Sequence, residues 1–266
     1  MRTKPPCTSY TLFNWEETMP TYKLLSSSSP KIDKSNKIQS KYFSRIMYLA
    51  PHNLADNKRT VCPYATVAKC HEPCLNTAGL GGVYSSIQKA RIRKTLMFLD
   101  DYDTFMEYLV EDIHKFIDEC FKLKKIPCLR LNGTSDIQWE HQLYKGQNVF
   151  QIFPDVLFYD YTKIPTRKVE GIKNYHLTWS YSEANEKYSN LFERVQCNKA
   201  VVFRDKLPSM FKGLKVIDGD KHDMRFLDEP NVVVGLKAKG KAKKDYSGFV
   251  VDNLIEARAL WVSMKN

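Results

Sequence analysis

The chain has 266 residues, 43% of them apolar and 12% aromatic, with 11 glycines; this excludes a disordered or collagen-like protein and suffices for one sizeable core. It carries 41 Lys and Arg against 30 Asp and Glu, a formal charge of +11, which favours a phosphate-bearing partner, a nucleotide or a nucleic acid. Seven cysteines form an odd, unevenly spread set with no secretory apolar segment behind Met1, so a reducing cytoplasm is expected rather than a disulfide framework, and no run approaches the roughly 18 apolar residues of a membrane span.

Residues 1–40 are polar and broken, with Ser26-Ser27-Ser28-Ser29-Pro30 followed by Lys31, Lys34 and Lys37. Such a composition offers little apolar burial against the entropy of ordering, and a flexible basic arm is expected. From Arg45 the text changes. Ile46-Met47-Tyr48-Leu49-Ala50, stopped by Pro51, is a short apolar run of strand length, and a polar loop with three cysteines follows it. A helix is expected from Ser85-Ser86 to about Leu99. The next helix is the clearest element: Thr104 to Glu107 reads as a capping box, and Phe105, Leu109, Ile113, Phe116, Ile117 and Cys120 recur at helical spacing. Lys122, Lys124 and Lys125 suit its carboxyl end, and Pro127 stops it. Cys120 therefore falls on the apolar face, where a core thiol is the expected role.

Six short apolar runs come next: Cys128–Leu131, Val156–Tyr159, His176–Trp179, Ala200–Phe203, Lys215–Ile217 and Val232–Val234. Several run into polar text, as at Asn132-Gly133-Thr134-Ser135-Asp136, Asp160-Tyr161-Thr162-Lys163 and Ser180-Tyr181-Ser182-Glu183. Parallel strands with polar carboxyl ends gathered at one mouth would produce this text, so the expected fold is α/β, a complete or partial (β/α) barrel over residues 41–266 with a cysteine loop after its first strand. The connector from Arg204 to Lys215 is short for a helical crossover, which leaves antiparallel closing strands open.

The strongest chemical signal is the spacing of Cys62, Cys70 and Cys74 within one loop. Three thiolates can grip one soft metal centre. Zinc would need a fourth ligand, with His71 or His52 at hand, and the spacing lacks the usual zinc knuckle. Three cysteines also suit an iron-sulfur cluster with one iron open to a ligand. Buried free thiols are the third option.

A set of segments carries a resemblance: Cys62-Pro63, Cys70, Cys74-Leu75, Ala90-Arg91, Phe98-Leu99, Leu131 to Asp136, Phe158 to Lys163, Asn174 to Thr178, Asp218-Gly219-Asp220 and Gly235 to Gly240. Together they resemble the bacteriophage family called gene product 88, over about residues 46 to 250. That resemblance implies a phage-encoded protein in the cytoplasm of an infected host. The order strand, three-cysteine loop, helix and later strands is also similar to radical S-adenosylmethionine enzymes, although their usual cysteine spacing and Gly-Gly-Glu segment are absent. That likeness implies bound S-adenosylmethionine on a cluster held by Cys62, Cys70 and Cys74, with Asp136, Ser180 and Glu183 at comparable strand ends. Phe158-Tyr159-Asp160 with Pro165-Thr166-Arg167 resembles the nucleophile segment of tRNA-guanine transglycosylases.

Asp136 and Asp160 end neighbouring expected strands, so they could meet as nucleophile and base, or serve as turn and capping residues. Lys163 beside Thr162 could take a phosphate. Asp218, Asp220 and Asp223 lie in one turn that could hold a hard cation or be solvated. Lys237, Lys239, Lys241 and Lys243, with Lys244 beyond, would share one face of an extended strand and could track a phosphate backbone or protect a sheet edge. The expected function is a metalloenzyme, iron-sulfur and radical in type, that modifies a nucleotide or nucleic acid. A transglycosylase-like base exchange through Asp160 and Asp136 with structural zinc, and a non-catalytic nucleic-acid-binding protein, are the alternatives.

Overall fold

The computed structural model describes residues 22–26 and 29–252. In chain order the strands are β1 (Leu25–Ser26), β2 (Tyr42–Met47), β3 (Ile126–Arg130), β4 (Leu143–Tyr144), β5 (Gln147–Asn148), β6 (Leu157–Thr162), β7 (Tyr175–Ser180), β8 (Lys199–Phe203), β9 (Met210–Phe211), β10 (Leu214–Asp218), β11 (Val233–Lys237) and β12 (Val250–Val251). The helices are α1 (Pro30–Ile38), α2 (Gly79–Val83), α3 (Ser85–Asp100), α4 (Tyr102–Lys122), α5 (Val149–Ile152) and α6 (Glu186–Ser189).

Helix α4 buries Phe105, Met106, Leu109, Ile113, Phe116 and Cys120 in one stripe, which confirms Cys120 as a core thiol. Its cap is Asp101, whose carboxylate accepts the Thr104 N–H at 3.4 Å. The capping box expected at Thr104 therefore lies inside the helix, because an acidic cap was available three residues earlier. The stripe packs with Leu129, Phe158 and Leu177 from β3, β6 and β7 in a core that also takes in Trp139 and Phe150. A second cluster gathers Trp179, Tyr181, Val201, Phe203 and Phe211 at the other end of the sheet.

The segment expected as an arm is folded from residue 22 onward. Leu24, Leu25 and Ile32 are fully buried, and the buried Asp112 carboxylate of α4 accepts the N–H groups of Leu24 and Leu25 at 2.6 and 2.8 Å. Ser29 caps α1 through the Ile32 N–H, with Pro30 in the first turn. A few well-placed apolar residues thus outweigh a polar average. Residues 1–21 lie outside the described residues.

The strand order is β1-β2-β3-β6-β7-β8-β11-β10-β9, and β12 also pairs with β8. From β2 to β10 every neighbouring pair is parallel, while β1 and β9 pair antiparallel at the two edges. Strands β2, β3, β6, β7 and β8 follow one another as barrel strands do, yet the sheet is open. A closed barrel is wrapped by a helix after nearly every strand. Here only the β2-to-β3 connection carries long helices, whereas α5 and α6 have four residues each, too little to wrap a ring. The barrel expectation gives way to an open, mostly parallel sheet, and the Arg204–Lys215 connector is short because it leads to β9 and β10 at the edge.

Candidate functional site

The carboxyl ends of the parallel strands gather at one mouth, as the polar run-outs predicted. Between β3 and the next turn, Gly133 crosses the end of β2 so closely that a Cβ there would lie 2.5 Å from the Met47 carbonyl oxygen. Asn132 ties the turn together: its Oδ1 accepts from Ile137 N–H and from Ser135 Oγ, each at 2.9 Å. The turn presents Asp136, whose own N–H donates to the Val61 carbonyl at 2.8 Å, which brings the cysteine loop alongside.

Asp136 Oδ2 accepts the Lys163 N–H at 2.7 Å, and Oδ1 faces Arg167 Nη1 at 3.5 Å. Arg167 also donates to Glu140 and, at 2.9 Å, to Tyr175 Oη, which donates to Asp160 Oδ2 at 3.2 Å. Asp160 Oδ1 accepts the Asn132 N–H at 2.8 Å. Asp136 and Asp160 therefore do belong to one mouth, joined through Arg167 and Tyr175. Both are nearly sealed, with exposures of 5% and 1%. Burial raises the Asp160 carboxyl to about 7 against the opposing pull of Arg130 and the Asn132 N–H. Burial also raises Asp136, opposed by the Lys163 N–H and Arg167. Through the Asn132 N–H and Tyr175 Oη the Asp160 carboxyl ties together the loops at the ends of β3 and β6. Glu140 escaped the sequence reading because nothing in the text around Trp139–His141 marks it. Arg167 and Tyr175 stood only inside the resemblances.

Lys163 Nζ donates to the Tyr181 carbonyl at 3.1 Å and lies 4.5 Å from the Phe249 ring centre. Burial lowers it to about 8, while Cys70 and Asp136 pull the other way. Ser180 ends β7, where its carbonyl accepts Tyr188 Oη at 2.9 Å. Glu183 is exposed, and its carboxylate accepts Tyr181 Oη at 3.2 Å. Between them, Ser182 Oγ donates to the Ala68 carbonyl at 2.8 Å and pins the cysteine loop to this strand end.

Cys62, Cys70 and Cys74 are partly exposed in the loop between β2 and α2. Burial pushes all three thiols up, Cys74 to about 11. Cys62 lies within electrostatic reach of Cys70, Cys74 and Asp136, and Cys70 within reach of Lys163. Cys62 Sγ donates to the Thr134 carbonyl at 3.7 Å, and the Asn76 N–H donates to Cys74 Sγ at 3.5 Å. The donor chemistry suits a soft metal, but among the described residues no three His, Cys, Asp or Glu side chains are placed to hold one ion. His71 Nδ1 faces the Ala65 carbonyl at 3.1 Å, and its ring centre lies 5.3 Å from that of His52.

A family model for Gene product 88 matches residues 22–253. The chain belongs to the bacteriophage Gene product 88 family. No curated protein and no solved structure gave a match, and nothing found supports the likeness to radical S-adenosylmethionine enzymes. The family match takes in the mouth, the cysteine loop and the lysine-rich segment together. Among the described residues no helix is long and apolar enough to cross a membrane.

In this Gene product 88 chain the lysine-rich segment is not an edge, because β11 lies between β8 and β10. Its alternation also stops at Gly240, where φ is +56° and residues Gly240–Lys244 turn into a 3-10 helix. Lys237, Lys239, Lys241, Lys243 and Lys244 are all exposed while Ala238 and Ala242 are buried. A Cβ on Gly240 would lie 3.0 Å from Ala78 Cβ, so the turn rests on the end of the cysteine loop despite its distance in sequence. The Asp218–Asp223 turn is not a cation site in waiting: Asp220 pairs with Lys239 at 2.6 Å, and Asp223 with Lys31 and Arg130 at 2.8 and 3.0 Å.

Proposed function

We propose that this protein is an enzyme that modifies a nucleotide or nucleic acid at the carboxyl mouth of its sheet, with the thiols of the cysteine loop as its centre. The carrying observation is that Cys70, Asp136 and Lys163 lie within one another's electrostatic reach at that mouth. Three groups of different acidity, gathered beside partly exposed thiols, form the kind of cluster found where chemistry is done. Asp136 holds the Lys163 backbone, and Arg167 with Tyr175 fixes Asp136 against Asp160. The exposed lysines on the adjoining rim fit a phosphate-bearing substrate. Expression in a bacterial host, followed by mass spectrometry of nucleosides from total DNA, RNA and the nucleotide pool, tests this. The expected result is a mass-shifted nucleoside or nucleotide that disappears with Cys70→Ser. Identical profiles with and without the protein would refute it.

A second reading places a soft metal on Cys62, Cys70 and Cys74. It is favoured by the mutual reach of the three thiols and by the Asn76 N–H aimed at Cys74 Sγ, a contact that stabilises a thiolate. Anaerobic purification should yield iron with sulfide, or zinc, that a Cys70→Ser/Cys74→Ser variant lacks. Metal-free protein, or full occupancy in the double variant, ends this reading.

A further inference from the structure

We propose that a basic cavity on the rim, between α1 and the ends of β8 and β11, binds a nucleoside polyphosphate. The cavity measures about 830 Å³ and is lined by Lys31, Lys34, Arg204, Lys237, Lys239 and Lys243. Its two acidic lining residues are Asp205 and Asp220. Burial would raise the Asp220 carboxyl, but Lys239 and the Lys237 N–H outweigh it and keep Asp220 ionised and paired. Lys31, Arg204 and Lys239 are paired with Asp223, Asp252 and Asp220, so the positive surplus of the cavity rests on Lys34, Lys237 and Lys243 against Asp205.

The donors are arranged rather than scattered. Arg204 follows β8 directly; its guanidinium pairs with Asp252 at 3.3 Å, donates to the carbonyls of Lys243 and Asp245 at 3.2 and 2.6 Å and lies 4.2 Å from the Tyr246 ring centre. These contacts fix the orientation of the fork. Lys34 Nζ rests on the Asp220 carbonyl at 2.9 Å. Lys237 and Lys243 make no ion pair among the described residues, so both ammonium groups are open to a ligand. The position has its own logic: β8 is flanked by β11, while the next long strand in the chain, β10, lies one place further out. Crevices at the carboxyl ends of parallel strands where the order reverses are the places open α/β sheets bind ligands. A volume in the range of small-molecule pockets suits a compact polyanion with a base attached, not a through-running strand.

The probe is N-methylanthraniloyl-ATP, followed by fluorescence anisotropy with the full chain, with ATP, inorganic phosphate and a single-stranded oligonucleotide as competitors. The labelled nucleotide should bind and be displaced by ATP far better than by inorganic phosphate, with affinity falling as salt rises. A Lys237→Gln/Lys243→Gln variant should bind at least about tenfold more weakly, as loss of charge-assisted contacts requires. Lys122→Gln, at the opposite end of the sheet, should bind as the parent does, and so should Cys70→Ser, which separates this site from the thiol centre. No binding, or equal binding by the double variant, overturns the inference. Displacement by the oligonucleotide at much lower concentration than ATP also overturns it, in favour of a nucleic-acid surface.

Discussion

Asp160, which is buried, and His222, which is half-buried, titrate in opposite senses over the same range. Asp160 is raised to about 7 by burial, so between its unfolded value near 4 and pH 7 the native state holds a proton that the unfolded chain has released. Acidification from pH 7 to 4 therefore adds stability through Asp160. His222 is lowered to about 4, by burial first and then by Arg225, whose Nη2 lies 3.0 Å from its Nδ1. The unfolded chain protonates that imidazole below about 6.5 while the native state resists, so acidification over the same range removes stability through His222. Denaturant melts at pH 7, 5.5 and 4 should separate the two. Relative to the parent, Asp160→Asn should lose ground as the pH falls, and His222→Gln should gain it. Parallel curves for all three proteins would show that neither group is linked to folding.

At the scale of elements, legibility followed the visibility of the apolar pattern. The parallel strands stood out because a strand buried on both faces is an uninterrupted apolar run, as at Ala200–Phe203 and Val232–Val234. Strand β2 begins at Tyr42, four residues before the expected run. Its middle hides buried polar groups: Ser44 Oγ hydrogen-bonds Tyr159 Oη at 2.7 Å, and Arg45 pairs with Glu119 of α4. Tertiary partners make those residues core, and no local rule reveals such partners. Helix α1 had a legible start in Ser29-Pro30, but the polar average around it argued for disorder. The two-residue strands β1, β9 and β12 are too short to show a period. The lysine alternation was a real period of two that a single left-handed glycine at 240 interrupted. In the mouth, Asp136, Asp160 and Lys163 were legible as strand-end residues. Glu140 became part of the site only through Arg167, which the fold brings to it from 27 positions away.

At the scale of the whole molecule, the open sheet is held on its second face by charges from three distant parts of the chain. Lys31 of α1 and Arg130 of β3 both pair with Asp223, which follows β10 and is 1% exposed. Arg130 also lies 4.6 Å from the Tyr161 ring centre, and the Asp223 N–H donates to Ser35 Oγ at 2.8 Å. Burial alone would raise the Asp223 carboxyl, but Lys31 and Arg130 outweigh it and hold it well below the usual carboxylate range. Such a triad is asymmetric in energy. Its net worth over an apolar replacement is small, whereas removal of one partner strands a buried cation. Asp223→Ala should therefore cost about 3–5 kcal/mol in a denaturant melt, because Arg130 keeps its charge with its best counterion gone. Arg130→Met with Asp223→Leu should recover most of that loss, since the one charge then left without its partner, Lys31, is 31% exposed and can turn to water. Lys31→Met alone should cost less than Asp223→Ala, because Asp223 keeps Arg130 as a partner at 3.0 Å and the 31% exposed Lys31 gives up a pair already partly screened by water. If Asp223→Ala melts with its parent, the triad does not hold α1 and the β10–β11 turn to the sheet. If the double variant is as unstable as Asp223→Ala, the loss is one of packing and not of a stranded charge.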